Sequence, residues 1–381
     1  MSNETQPTQV DITLDVGTAY DLLTSLTVLH SPKKFAVRGA WASGMLARLS
    51  PASRAALVQA EEIVHLPVHV VPSLPAPRSA EMLLWSLAGM DPAERMRALS
   101  CSPGVERRGY SELCSEVVAK KRWDAADLRR LQECLGGMEH GKAAPPEEKL
   151  RRTLDAWADA EAFGEAYLTA LRDYYDVFFR EEEKRIVPAI DAAAERIEAL
   201  AKTLPLPDLI ETISSGVRYD ALPEVRQLIL APSFWITPLI LHTRLDASRM
   251  LFVFGARGSG DAIVPGETVP DGLVRALKAL SDPTRLRILR LVAERPMGAA
   301  ELARSLRLRT PTVLHHLHAL RLSALLQIRV PEDRFKGRTL VSLRPHAARD
   351  VFRMLEGFLH AEDPAEVETP TPWVDERSSD S

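Results

Sequence analysis

The sequence has 381 residues, 46% hydrophobic and 26% charged, with 48 Lys+Arg against 52 Asp+Glu and a formal net charge of −4. These proportions fit an ordinary globular protein with room for two or three domains, and they exclude collagen-like and low-complexity chains. Three widely spaced cysteines, Cys101, Cys114 and Cys134, make neither a disulfide framework nor a zinc set.

No apolar run approaches the roughly 18 residues of a membrane helix, and Met1 to Pro7 lack the basic and apolar regions of a signal peptide, so a cytoplasmic protein with no membrane partner is expected. Residues 1–10 read as a polar tail and 11–255 as a mainly helical domain. Tyr20, Leu22, Leu23, Leu26, Val28 and Leu29 predict one helix, Ser43 to Leu49 another, and Pro51 to Glu62 a third capped by Ser50. Ile63 to Val71 reads as extended. His65 and His69 stand four apart, a spacing that ligates metal on a helix, but Pro67 lies between them and Leu66 stands where a metalloprotease has its glutamate, so no metal is expected there. Ser79 to Ala88, Pro92 to Leu99 and Asp124 to Leu135 follow as helices separated by proline and glycine.

The longest helical pattern runs from Glu147 to about Ile186. Phe163, Tyr167, Leu171, Tyr175 and Phe179 recur every four residues, which makes one face mostly aromatic. Such a stripe is most often core; the alternative is an effector pocket drawing on Trp157, Phe163, Tyr167, Tyr174, Tyr175 and Phe178. Pro188 is expected to kink or interrupt the helix before Ala189 to Leu204 continues the pattern. Val225 to Leu230, Phe234 to Thr237 with Leu239 to Leu241, and Met250 to Phe254 are β-branched or aromatic runs that predict a short antiparallel sheet. Gly255 to Gly260 matches neither dinucleotide nor P-loop spacing, so 256–270 reads as a linker. No nucleophile, carboxylate-pair or phosphate-loop signature precedes residue 260; no catalytic residue is assigned and an enzyme is not expected.

Residues 271–361 have a different character. Asp282 as N-cap and Pro283 in the first turn open a helix with Leu286, Ile288, Leu289 and Val292 on one side, and Pro296 stops it. Ala300, Leu302, Ala303 and Leu306 give a second helix a small apolar face. Val313, Leu314, Leu317 and Leu320 give a third the i, i+3, i+4, i+7 spacing, opposite Thr312, His315, His316 and Arg321. Two short helices around a tight turn read as a helix-turn-helix. Leu325 to Val330 and Thr339 to Leu343 predict two strands joined by a polar turn holding Arg334, Lys336 and Arg338, and an amphipathic helix follows over about 345–360. Residues 271–345 carry 15 Lys+Arg against 6 Asp+Glu, net +9, which leaves −13 on the remainder. That segregation is the footprint of a phosphate-backbone binder. The last 20 residues, with 7 acidic residues, 1 basic and three prolines, read as an acidic disordered tail over 362–381.

Asp282 to Leu289 and Pro311 to Leu317 resemble the two signature segments of the ArsR family of bacterial winged-helix repressors. The resemblance covers roughly 90 residues and implies a homodimer, built through the first and last helices of the domain, on double-stranded DNA. Candidate groove contacts are Thr310, Thr312, His315 and His316, with Arg309 and the wing residues Arg334, Lys336 and Arg338 on phosphates. One of the two adjacent histidines is expected to point inward. The sequence departs from the family at Arg309 and Leu314, where a small capping residue and a serine are usual, and in a turn without glycine. Family metal sensors use cysteines in the first helix of the motif or Asp/His/Glu sets on the last helix; Glu301 to Ser305 has no cysteine and His346, Asp350 and His360 do not match that spacing, so neither metal nor cofactor is expected.

The expected fold is mainly α with small β, a C-terminal winged helix-turn-helix and a larger, mostly helical N-terminal domain. The expected function is a dimeric repressor whose N-terminal domain senses a small-molecule or protein effector. The alternative is an enzyme or protein-interaction module fused to a DNA-targeting winged helix.

Overall fold

Helix α1 (Ala19–His30) organises the N-terminal part of the chain, since every residue from Ala19 to Leu26 is buried, as are Val28 and Leu29. A helix buried on all sides must be covered on all sides. Helices α2 (Gly39–Ala47), α3 (Pro51–Ile63) and α4 (Ala80–Ala88) pack on it, with a sheet strand behind. The computed structural model describes residues 10–102, 109–136, 145–220, 225–258, 261–331 and 338–360. The expectations for the first nine residues, the wing turn and the acidic tail lie outside these.

Side-chain caps start several helices where the sequence places them. Ser50 accepts from the Ser53 N–H, Ser79 from the Met82 N–H, and Asp91 from the Ala93 and Glu94 N–H groups ahead of α5 (Pro92–Ser100). Helices α6 (Tyr110–Lys120) and α7 (Ala125–Gly136) follow. The segment from Ile63 to Val71 is not extended: α3 runs to Ile63 and Val68–Ser73 forms a 3-10 turn. Pro67 and Pro72 each remove an amide that a sheet ladder would need.

The long helical pattern divides into α8 (Glu147–Ala158), α9 (Ala160–Tyr174), a π turn (Tyr175–Phe179) and α10 (Arg180–Ala201). Asp159 leaves helical geometry at φ −120°, ψ 51°. The bend lets α8 pack on α6 and α7 while α9 packs on α3 and α5. Gly164 makes the α9 contact possible, because a Cβ there would lie 2.1 Å from the Pro92 carbonyl oxygen. Pro188 does not interrupt α10. It sits on the exposed side of the helix, and Lys184, whose carbonyl it leaves without a donor, is an exposed residue as well.

After α11 (Leu206–Ile213) comes the short strand β2 (Val217–Tyr219). The N-terminal sheet consists of β1 (Asp11–Leu14), β3 (Gln227–Ser233), β4 (Ile240–Arg244) and β5 (Arg249–Gly255) in the order β1-β3-β5-β4. It is mixed rather than antiparallel: β1 pairs parallel with β3 and β3 parallel with β5, and only β4 pairs antiparallel with β5. Leu228 to Ser233 and Met250 to Phe254 are buried without alternation, as central parallel strands covered on both faces are. Phe234 to Thr237 forms a turn instead of a strand. The expected linker is packed chain: Ala256 and Ile263 belong to the N-terminal core, and Arg185 donates to the Ala262 and Ile263 carbonyls at 3.0 and 2.9 Å.

A second core, centred on Ile288, Val292, Leu302, Val313, Leu320 and Leu326, holds α12 (Asp271–Leu280), α13 (Pro283–Glu294), α14 (Ala299–Leu306), α15 (Thr310–Leu322), β6 (Leu326–Val330), β7 (Leu340–Leu343) and α16 (Ala347–Leu359). Strands β6 and β7 are antiparallel, as expected of a wing. Strand β2 pairs parallel with β6, so the wing sheet has three strands, one of them from before residue 220. Gly216 makes this junction: its φ is +111°, its carbonyl accepts from the Ile328 N–H at 2.7 Å, and a Cβ would lie 2.7 Å from the Leu326 oxygen.

Candidate DNA-binding interface

Helix α13 starts where Asp282 accepts from the Arg285 N–H at 2.9 Å, with Pro283 in the first turn. That N–H holds the Asp282 carboxyl below its usual range, assisted by the charges of Arg285 and His316. Helix α14 ends without glycine. Arg307 takes the left-handed conformation, φ 56°, ψ 42°, and the Leu308 N–H reaches back to the Ala303 carbonyl at 2.9 Å, closing the helix as a Schellman turn does. A non-glycine residue can hold this position at a cost of about 1 kcal/mol.

Helix α15 buries Val313, Leu317 and Leu320 in the second core. Thr310, Thr312, Leu314 and His315 are exposed, and Arg309 precedes them, also exposed. Arg309, Thr310, Thr312 and His315 therefore share the outer side of the second helix of the motif. His316 is the histidine that turns inward: it is half-buried beside Asp282, and its Nδ1 is sealed from solvent without a hydrogen-bond partner. His315, by contrast, is exposed.

Leu314 is 53% exposed, an apolar residue on the solvent side of α15. Arg304 and Arg307 are exposed beside Arg309 around the turn, and among the described residues none of the three is ion-paired. Arg304 and Arg307 belong to the basic excess of residues 271–345, and their spacing of three across a short helix end is the signal that groups them. Of the wing cations, Arg338 is described and exposed, while Arg334 and Lys336 lie outside the described residues.

The far end of α15 is fixed differently. Arg321 is 7% exposed and donates to the Ser214, Ser215 and Pro238 carbonyls at 2.6, 3.3 and 3.4 Å. Ser214 and Ser215 lie at the C-terminus of α11, the negative end of its dipole, so a helix before residue 220 is capped by the recognition helix. Burial lowers the Arg321 guanidinium to about 10, still charged at neutral pH.

The aromatic residues Trp157, Phe163, Tyr167, Tyr174, Tyr175 and Phe178 are all buried in the N-terminal core. Tyr174 donates to the Ser25 hydroxyl at 2.9 Å and Phe178 packs its ring 5.9 Å from that of Trp235. A cavity of about 1030 Å³ lies elsewhere, between the 3-10 turn and β4, lined by His65, His69, Cys101, Tyr110 and His242 among others. On α16, Asp350 is engaged by Arg344 at 2.9 Å. Among the described residues no three His, Cys, Asp or Glu side chains are grouped to hold a metal, and no helix is long and apolar enough to cross a membrane.

Residues 282–326 match the family model described as bacterial regulatory protein, arsR family. No curated protein matches the chain. The matched segment runs from the α13 N-cap through the recognition helix to the first residue of β6, and it coincides with the helix-turn-helix described above. The chain thus carries an ArsR-family helix-turn-helix domain with a long N-terminal extension before it, the domain of a DNA-binding transcription regulator.

Proposed function

We propose that the protein is a dimeric, sequence-specific repressor whose N-terminal extension senses an effector and passes the signal to the recognition helix. The observation that carries this reading is the attachment of α15 to the extension by Arg321 and of the wing to it by β2. A recognition helix so held cannot reorient without disturbing α11. An effector that binds two arrangements of this junction unequally shifts DNA affinity by that difference.

Dimerisation through α12 and α16 is supported by the apolar surface these helices leave uncovered. Phe352 and Leu359 are 58% and 66% exposed on α16 and Leu277 is 41% exposed on α12. Each protomer then presents α15 to one major groove, with half-sites about one helical turn apart.

The test is binding of the full-length protein to fragments of its own genome across a salt series, with oligomeric state measured by sedimentation. A near-palindromic site, a steep salt slope and a dimer that Phe352→Glu dissociates are expected. Equal binding to the fragments and to random DNA at low salt would sink the reading. Expression of a reporter behind the selected site separates repression from activation.

A further inference from the structure

The cleft where the N-terminal extension faces the recognition helix is lined by more cationic side chains than carboxylates. Its volume is about 520 Å³, and its walls come from the segment around Lys33 and Val37, from α12 and from α15. Lys33, Arg275, Lys278 and Arg285 contribute charge, and Val37, Val274 and Leu322 contribute apolar surface. Arg38 is paired with Glu267. Asp271 accepts the Ile263 N–H at 2.5 Å, and Arg285 has Asp282 at 3.8 Å.

Arg275 is the informative residue. Its Nε and Nη1 are sealed from solvent with no hydrogen-bond partner. A second guanidinium, Arg257, lies close enough that its charge is opposed by that of Arg275, and Arg257 also has an unpartnered Nη1. Burial lowers both groups, Arg257 to about 9. Asp271 in the cleft wall offsets part of the charge on both groups and Asp261 part of that on Arg257, yet each guanidinium still leaves donors unused, which is costly. On the helix that reads DNA, His315 and His318 line the same cleft, so an occupant would touch the recognition helix directly.

We propose that this cleft binds a small anionic ligand, a phosphate or carboxylate on an apolar body, with the anion on Arg275 and the body against Val37, Val274 and Leu322. A DNA backbone is the less suitable occupant, because Val37, Val274 and Leu322 give the cleft an apolar wall that a phosphate backbone would leave unused. Binding itself stands apart from the regulator reading; its consequence for DNA affinity rests on that reading.

The experiment titrates the full-length protein by calorimetry with phenyl phosphate, benzoate and inorganic phosphate, each against sodium chloride at equal ionic strength and without DNA. Phenyl phosphate or benzoate is expected to bind more tightly than inorganic phosphate, and which of the two wins tells phosphate from carboxylate. Arg275→Gln is expected to weaken that binding at least about tenfold, the scale of one lost charge-assisted hydrogen bond. A Lys33→Gln/Lys278→Gln variant, altering only exposed side chains, is expected to weaken it severalfold and keeps the test open if Arg275→Gln does not fold. No binding by either aromatic anion above chloride, or equal binding by wild type and variants, overturns the proposal. So does an Arg275→Gln variant whose affinity for duplex DNA falls together with its salt slope, because the cleft then belongs to the DNA backbone. Absence of DNA binding by every form leaves the calorimetric result standing and rejects only the regulator reading.

Discussion

The guanidinium of Arg321, one residue from the end of the recognition helix, lies 2.6 Å from the carbonyl oxygen of Ser214, the C-cap of α11. One side chain therefore serves as the cap of a helix more than a hundred residues earlier. Arg321→Leu leaves three buried or half-buried carbonyls without their donor. A loss of about 2–4 kcal/mol of stability is expected. Chemical denaturation measures it, and a loss within experimental error would mean that water replaces the guanidinium. If α11 holds α15 in a DNA-competent position, the same variant also changes DNA affinity under conditions where it remains folded.

Gly216 supports the same junction through its backbone. At φ +111° with a neighbouring carbonyl 2.7 Å from where a Cβ would sit, Gly216→Ala must both strain the chain and push β2 off β6. A destabilisation of about 1–3 kcal/mol is expected. Amide exchange locates it: Ile328, whose N–H donates to the Gly216 carbonyl, should lose protection while α13 and α14 keep theirs. Uniform loss throughout the second core would show instead that the winged helix does not fold without its third strand.

Variants at Thr312 and Arg309 are expected to separate reading of bases from attraction to phosphate. Both are exposed at the start of α15, yet Thr312 points from the outer side of the helix and Arg309 precedes its first turn. Thr312→Ala is expected to cost about 1–3 kcal/mol on the selected site and less on random DNA. Arg309→Ala is expected to weaken both alike and to reduce the salt slope by about one. Competition binding at three salt concentrations decides between these patterns, and interchange of the two would reassign the contacts.

How much of this was legible in the sequence depended on the distance over which the determining interaction acts. The helix-turn-helix is written in local periodicity: Val313, Leu317 and Leu320 set the phase of α15, and that phase places His316 next to the buried stripe and His315 outside it. The aromatic run in α9 was readable as core for the same reason. The sheet was not, because β1 pairs with a strand more than two hundred residues later and β2 offers only Val217 to Tyr219 as a signal. The runs of β3 and β5, separated by proline and polar turns, read as an antiparallel sheet, whereas the two strands pair in parallel and are buried without alternation. Neither the Arg321 cap nor the cleft at Arg275 has any local signature, since each exists only when two distant segments meet.

Asp21 gives the extension a pH dependence of its own. The carboxyl is fully buried on α1; one oxygen accepts from the Phe234 N–H at 2.8 Å and the Ser233 hydroxyl at 3.0 Å, and the other has no partner. Burial raises its pKa to about 7, against the hydrogen bonds from Ser233 and Phe234, with Glu183 adding to the rise. An acid whose folded pKa exceeds its unfolded value holds its proton more tightly when folded. Its contribution to stability is complete below about pH 4 and is lost as the pH rises through about 7. At about 1.4 kcal/mol per unit, the full change amounts to a few kcal/mol. Asp15 and Glu61 are also raised by burial, so the quantity to measure is the difference between two proteins rather than the wild-type slope alone. Unfolding of wild type and Asp21→Asn between pH 5 and pH 8 should show the wild type losing stability relative to the variant as the pH rises. Parallel curves would place the Asp21 proton elsewhere and show that the interior tolerates the carboxylate.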